Sequence, residues 1–296
     1  MRKPIVVGVD GSRQALNAVD WAAAEAGRRR LPLRIVHITT EWERGDIPAD
    51  RGRGSMAPRT ESPGLRVLDV AEERARTFAS LEIERRLGVG PVPGTLLQES
   101  AGGALLVLGQ RGTGSFARLL LGSVSRQAAE HAPFPVVIVP ADTDHRPRRP
   151  EIVVGIDGSE ASVDAVAFAL EEAAMRAIGL RAIHAWNRPD YPVEMRPASY
   201  NAFTIEEEGA RVLSESLAGW TAKYPDVSVI QQVIEGSPAA VLTEASHTAE
   251  LLVVGARGRG GFPGLRLGSV SHAVLHHTEG PLAVVRRSSG DVGSDG

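Results

Sequence analysis

"IVVGVDGSRQALNAVDWAAAEAGRRRLPLRIVHI", Ile5 to Ile38, returns as "IVVGIDGSEASVDAVAFALEEAAMRAIGLRAIHA", Ile152 to Ala185. The offset is 147 positions both at Ile5 against Ile152 and at His37 against His184. A match this long and this well in register is a duplication, so the 296 residues hold two copies of one unit. Each copy has the size of an ordinary domain, far above a solenoid repeat. The stretch also decides the fold. "PIVVGVD" is a short apolar run, as a strand covered on both faces requires. Ser12 offers an N-cap. "ALNAVDWAAAEAGRRR" has apolar residues at helical spacing and ends in cations that suit a helix C-terminus. "LRIVHI" is a second strand.

Further along the first copy, a loop leads to a long predicted helix, "LRVLDVAEERARTFASLEIERRL". "ALLVLG" is a strand, a Gly-rich turn leads to a helix around "SVSRQAAEHA", and "FPVVIVP" closes the copy. The second copy repeats this with "LRAIHA", "ELLVVG" and "PLAVVR". Such alternation predicts an α/β protein of two tandem, doubly wound, Rossmann-like parallel-sheet domains. The expected boundaries are residues 1–140 and 151–287. The Pro- and charge-rich "ADTDHRPRRP", 141–150, reads as the linker, and the Gly, Ser and Asp of 288–296 as a disordered tail. The copies are expected to differ. Where the second has "DVSVIQQVIEGSPAAVLTEASHTAELLVVG", the first reads as only "GVGPVPGTLLQESAGGALLVLG", short of most of one strand and about a turn of helix. The first also has a longer loop, "EWERGDIPADRGRGSMAPRTESPG", expected to be disordered.

The composition is that of a globular protein, 43% hydrophobic and 23% charged, with a formal net charge of -3. No global field gathers nucleic acid or an anionic membrane. The absence of cysteine excludes disulfides, thiolate zinc sites, iron–sulfur clusters and Cys nucleophiles. The start, "MRKPIVVGVDGS", runs almost directly into a strand pattern, and no apolar stretch suits a signal peptide or a bilayer span. A cytoplasmic protein is expected.

Chemistry concentrates in "GQRGTGSFARLLLGSVS", Gly109 to Ser125, and "GARGRGGFPGLRLGSVS", Gly255 to Ser271. Neither contains the Lys of a P-loop. "GTGSFA", Gly112 to Ala117, spells a dinucleotide fingerprint, but it follows a late strand, and Pro263 replaces Ala117 in the repeat. Both stretches share Gly-x-x-Gly, nine residues, then Gly-Ser: Gly109, Gly112, Gly122 and Ser123, then Gly255, Gly258, Gly268 and Ser269. Gly109 and Gly255 are expected to end a strand where a ligand meets bare backbone. Gly112 and Gly258 are expected to take positive φ and turn N–H groups toward an anion. The Gly-Ser pair opens a helix whose N–H groups and dipole form a second phosphate contact. Arg111 and Arg257 lie within the loops to neutralise phosphate. Asp10 and Asp157 end the first strand of each copy, where ligands of open parallel sheets bind.

At these residues the sequence resembles the universal stress protein family in its tandem-domain, ATP-binding form, over both copies from Pro4 to Arg286. The resemblance implies a sheet of order 3-2-1-4-5, like that of adenine nucleotide alpha hydrolases, paired through its last strand. It implies ATP, with Mg2+, at each domain. Gly8 and Asp10 would flank the adenosine, with Ile38 under the base. Gly109, Gln110, Arg111, Gly112, Thr113, Gly114 and Ser115 would wrap the phosphates, and Gly122, Ser123 and Val124 would close them. In the second copy Gly155, Asp157 and Ala185 take the adenosine. Gly255, Ala256, Arg257, Gly258, Arg259, Gly260 and Gly261 wrap the phosphates, and Gly268, Ser269 and Val270 close them. The implied role is regulatory, in stress response, dormancy and growth control. The two copies would pair with each other, with homodimerisation of the chain a further expectation.

Other chemistry finds less support. His272 and His276 stand four apart on a predicted helix, but no third metal ligand is evident, and Arg126 and Glu130 replace them in the first copy. His37 and His184 read as packed or pocket-edge histidines. No carboxylate lies in either Gly-rich loop to act as a base, so slow or absent hydrolysis is expected. The alternative is an ATP-using ATPase or ligase-like enzyme of related fold, and a third reading is an electron-transfer flavoprotein-like subunit.

Overall fold

The structure, a computed structural model, describes residues 2–39, 62–78, 80–112, 121–141, 149–187, 202–259 and 266–286. Its contacts divide the chain into two compact units, 1–128 and 129–296.

In the first unit, β1 (Ile5–Val9) lies between β2 (Leu33–Thr39) and β4 (Leu105–Gly109), parallel to both. The edge strand β3 (Ile83–Val89) pairs in parallel with β2, giving the order β3-β2-β1-β4. The burial of β4 throughout and of β1 at every residue but Gly8 explains the continuous apolar runs. Helix α1 (Arg13–Arg29) packs on them through Ala15, Ala18, Val19, Ala22, Ala23 and Ala26, a stripe at helical spacing whose small side chains allow a close approach. Helices α2 (Pro63–Arg76) and α3 (Val92–Glu99) cover the two faces of β2. A Cβ on Gly64 of α2 would meet His37 and Thr39, whereas Ile38, between them, meets β3 at Gly88 beside Thr95 of α3. Adjacent strand residues point to opposite faces, so this is the double winding.

The second unit repeats the plan. Strand β6 (Arg149–Gly155) lies between β7 (Gly179–Trp186) and β9 (Ala249–Gly255), β8 (Val229–Glu235) forms the edge, and β10 (Leu282–Val285) follows β9. Every one of these pairings is parallel. The expected 3-2-1-4-5 order is complete here, read as β8-β7-β6-β9-β10. The helices are α5 (Glu160–Arg176), α6 (Ala202–Leu217), α7 (Trp220–Lys223), α8 (Pro238–Ser246) and α9 (Ser269–His277). Helix α4 (Ser123–His131) crosses the division at 128. After it, β5 (Val136–Val139) belongs to the second unit, where it pairs antiparallel with β10. Arg149 and Pro150, expected in the linker, open β6, and Arg149 N–H donates to the Thr248 carbonyl at 2.6 Å.

One expectation fails. The first copy has not lost its third strand or a turn of helix. Helix α2 stops at Arg76, and "IERRLGV", assigned above in large part to that helix, is β3, as long as β8 and in full register with β2. Helix α3 is one residue shorter than α8 (eight against nine). The error has a physical origin. Glu and Arg are good helix formers, and an edge strand needs charge more than β-propensity. Here that charge is paired. Arg34 Nε donates to Glu84 at 2.7 Å, Arg85 reaches Asp69 at 2.7 Å and Glu72 at 3.3 Å on α2, and Arg86 also bonds Glu84.

Candidate functional site

Both copies build the same corner. In the first, Gly11 after β1 takes φ +82°, which only Gly adopts at no cost, and reverses the chain into α1. Asp10 Oδ1 accepts the Ser12 N–H at 3.0 Å, and Ser12 Oγ caps α1 by accepting from Ala15 N–H at 3.1 Å. In the second, Gly158 takes φ +76° and Asp157 Oδ1 accepts both the Ser159 N–H at 3.0 Å and its hydroxyl at 2.6 Å.

The aspartates meet the Gly-rich turns. A Cβ added at Gly112 would run into Asp10 Oδ2, and one at Gly258 into Asp157 Oδ2. Asp157 Oδ2 also accepts the Arg259 N–H at 2.9 Å. Burial by itself would raise the Asp157 carboxyl. The Ser159 hydroxyl and N–H, the Arg259 N–H and Ser162 outweigh it and hold the group below its ordinary 3.8.

Two glycine roles differ from expectation. Gly112 and Gly258 do not have positive φ; glycine is required there because the carboxylate occupies the place of a side chain. Gly109 and Gly255 do not bare their backbone to a ligand on that side. A Cβ there would meet the main chain of the first helical turn, at 2.8 Å from Gln14 and 2.7 Å from Ala161. Those two glycines let α1 and α5 lie against β4 and β9.

The start of the following helix closes the turn. Gly122 N–H donates to the Gln110 carbonyl and Gly268 N–H to that of Ala256, both at 2.8 Å. No side chain caps α9 at Gly268, so its first N–H groups stay available to an anion. Ser123 and Val124 stand at the matching place of α4. Ser125 and Ser271, which the sequence reading passed over, are buried and donate to the Gly109 and Gly255 carbonyls at 2.7 and 2.6 Å. Their signal was visible in "GSVS", identical in both copies.

In the second unit the corner encloses a cavity of about 460 Å3, inside the range of about 300–1,000 Å3 usual for small-molecule sites. Gly155, Asp157, Ala185, Gly255, Arg257, Gly258, Arg259, Gly268, Ser269 and Val270 line it, as the sequence reading grouped them. Ala256 turns away and is buried. Seven lining residues were missed: Ile156, Ser162, Ile183, Pro238, Leu242, Val254 and Ser271. Most form an apolar wall opposite the polar turn, and their apolar character looked like ordinary core. In the first unit, Gly8 faces Leu96 of α3 and Leu108, Ile38 is 8% exposed, and Gln110 is buried. Arg111 is half-buried, with an Nε that has no hydrogen-bond partner among the described residues. Thr113, Gly114, Ser115, Gly260 and Gly261 lie outside the described residues.

His37 and His184 are packed on the sheet face under α2 and α6, against Gly64 and Gly209. Their Nδ1 atoms lie 2.7 Å from the Val9 carbonyl and 2.8 Å from that of Ile156; a carbonyl only accepts, so Nδ1 carries the proton. The rings of His272 and His276 lie 4.6 Å apart, and no group of three His, Asp or Glu side chains suited to a metal occurs among the described residues. No described helix is long and apolar enough to cross a membrane.

Each unit is thus an α/β fold whose Gly-rich turn, after β4 or β9, meets the Asp that follows its first strand, with a helix N-terminus beside it, in the crevice where open parallel sheets bind ligands. The Universal stress protein family matches the chain twice, at residues 1–140 and 149–286, and the chain belongs to that family. Universal stress protein Rv2005c of Mycobacterium tuberculosis is 37% identical over 96% of this chain and 97% of its own. Universal stress protein Rv1996 of the same organism is 37% identical over 95% and 94%. Among solved structures, a universal stress protein from Archaeoglobus fulgidus covers 97% of both chains with a TM-score of 0.62 at 17% identity, a likeness of fold.

Proposed function

We propose that the chain is an ATP-binding regulatory protein of the stress response, acting in dormancy and growth control, with a nucleotide site in each copy. The observation that carries this reading is the second-unit cavity. One wall is apolar, formed by Ile156, Ile183, Ala185, Pro238 and Leu242, and suits a flat base. The other end gathers Arg257, Arg259 and the uncapped N-terminus of α9, which suit phosphates. The shared Gly-x-x-Gly turn and Asp10 extend the reading to the first copy. Mg2+ would ride on the phosphates, since no protein cage for it exists among the described residues.

Hydrolysis is slow or incidental in this reading. The carboxylate nearest the turn, Asp157, already accepts three hydrogen bonds and is held acidic, which makes it a poor base for a water. Turnover at or above about 1 per second would favour an ATP-using enzyme instead. The cytosolic setting and homodimerisation belong to the same proposal.

The test is mass spectrometry of nucleotide released by denaturing the purified chain. ATP or ADP is expected, at up to two per chain. The Gly112→Ala, Gly258→Ala double variant pushes a methyl into both carboxylates and should empty the sites; unchanged occupancy would overturn the assignment.

A further inference from the structure

The two phosphate ends are built from different cations. At the offset of 146 that relates Gly109 to Gly255, Arg257 answers to Arg111, but Arg259 answers to Thr113. The first stretch has Arg118 instead, at the place of Gly264. Arg259 is tied into its site twice. Its N–H donates to Asp157 Oδ2, and its guanidinium lies against Gly158 with Val212 of α6 nearby. Gly158 has no side chain, so the guanidinium has room at the rim of the cavity that Arg259 lines. Arg257 lines the same cavity, and both are exposed.

No carboxylate pairs with either guanidinium among the described residues. Behind them, Arg286 Nη2 donates to the carbonyls of Arg266 at 2.7 Å and Glu130 at 3.0 Å, fixing the end of the turn. Burial and the like charges of Arg257 and Arg266 hold the Arg286 guanidinium below the usual guanidinium range, a mark of surplus positive charge at this end. Glu160, the acidic residue that opens α5, does not line the cavity.

Resting on the reading of this cavity as a nucleotide site, we propose that Arg259 makes the second site select by phosphate number. Its guanidinium and that of Arg257 close on the outer phosphates of a nucleoside triphosphate; at the matching position of the sequence the first copy carries Thr113, which has no charge to offer. A nucleoside monophosphate reaches only the helix N-terminus and gains little from it. Selection is therefore a property of one copy and not of the shared turn.

The experiment is calorimetric titration of ATP, ADP and AMP into the full chain carrying Gly112→Val, which blocks the first site, with and without Arg259→Thr. Arg259→Thr keeps the backbone N–H that Asp157 accepts. It should weaken ATP by about tenfold, the scale of one charge-assisted contact, and AMP by less than about threefold. Arg259→Lys should recover part of the ATP loss. Equal weakening of ATP and AMP, or of neither, overturns the proposal while the site reading stands. Absence of any nucleotide binding by the unmodified chain overturns the site reading itself. Should Gly112→Val unfold the first unit, Arg259→Thr in the unmodified chain gives the same answer. Only one of the two fitted ATP affinities should move.

Discussion

At the Gly-rich turn the first copy has Thr113 where the second has Arg259, and near the end of the second strand it has Ile38 where the second has Ala185. Around these exchanges the scaffold is held constant. Asp10 and Asp157 press on Gly112 and Gly258, and Ser125 and Ser271 hold the same strand-end carbonyl. The lesson is about which parts can drift after duplication. Groups that hold backbone to backbone cannot change singly, because each leaves a buried carbonyl or a steric clash behind. Side chains outside this frame are free to change, as Thr113 against Arg259 and Ile38 against Ala185 have done.

The largest effect expected from this contrast lies in the frame. Gly109→Val and Gly255→Val drive a side chain into the first turn of α1 or α5, at main-chain atoms that cannot step aside. Each should cost about 3 kcal/mol, at the upper end of overpacking. Thermal unfolding should fall by similar amounts in the two variants. A frame that tolerated one and not the other would break the equivalence of the copies.

Next comes the end of the second strand of each copy. Ile38→Ala removes a side chain only 8% exposed and should cost about 2–3 kcal/mol, measurable by urea unfolding. Ala185→Ile should cost less, because Ala185 borders a cavity, but should lower nucleotide occupancy of the second site. If Ala185→Ile left occupancy unchanged, the cavity would not be where the base sits.

A smaller effect is expected in acid at the Asp157 corner. The folded Asp157 carboxyl sits below its ordinary 3.8, so its contribution is complete above that value and is lost as pH falls through the lower folded value. The second unit should lose stability in the window below about pH 3.8. Asp157→Asn should cost about 1–2 kcal/mol at neutral pH, as expected for hydrogen bonds to a charged acceptor. It should also flatten the acid limb, so that the two unfolding curves converge at low pH. Parallel curves would assign the acid sensitivity elsewhere.

How much of this was legible in the letters depends on what each residue touches. The duplication and the strand-helix alternation were readable because repeats and periodicity are written in the sequence itself; the grouping of Asp157 with Gly258 and Ser269 came from the strand-end crevice of open sheets and from the family resemblance. The reason for each glycine was not readable. Gly112 looks like a residue chosen for positive φ, and only the fold shows the Asp10 carboxylate beside it. Likewise Pro238 and Leu242 gave no sign that they face a cavity, since an apolar wall and a core carry the same residues. The misread strand β3 is the clearest case. "IERRLGV" has the composition of a surface helix, and its pairing with β2 depends on partners up to fifty positions away.

That edge strand also gives the smallest predicted effect. Glu84 joins Arg34 of β2 to Arg86 of its own strand, and the Arg34 hydrogen bond leads in holding its carboxyl below the ordinary 4.5 against the opposing effect of burial. The corresponding residue of β8 is Ile230, which is 54% exposed, so the second copy keeps the same edge without the ion pair. The pair is therefore dispensable to the fold. The Glu84 side chain is 35% exposed, and solvent screening limits such pairs to about 1 kcal/mol or less. Glu84→Gln should accordingly lower the stability of the first unit by about 0.5 kcal/mol at low salt and by nothing measurable at 1 M salt. A loss above about 2 kcal/mol, or one that salt did not erase, would mean that charge and not backbone pairing holds this edge, and that the two copies solve it differently.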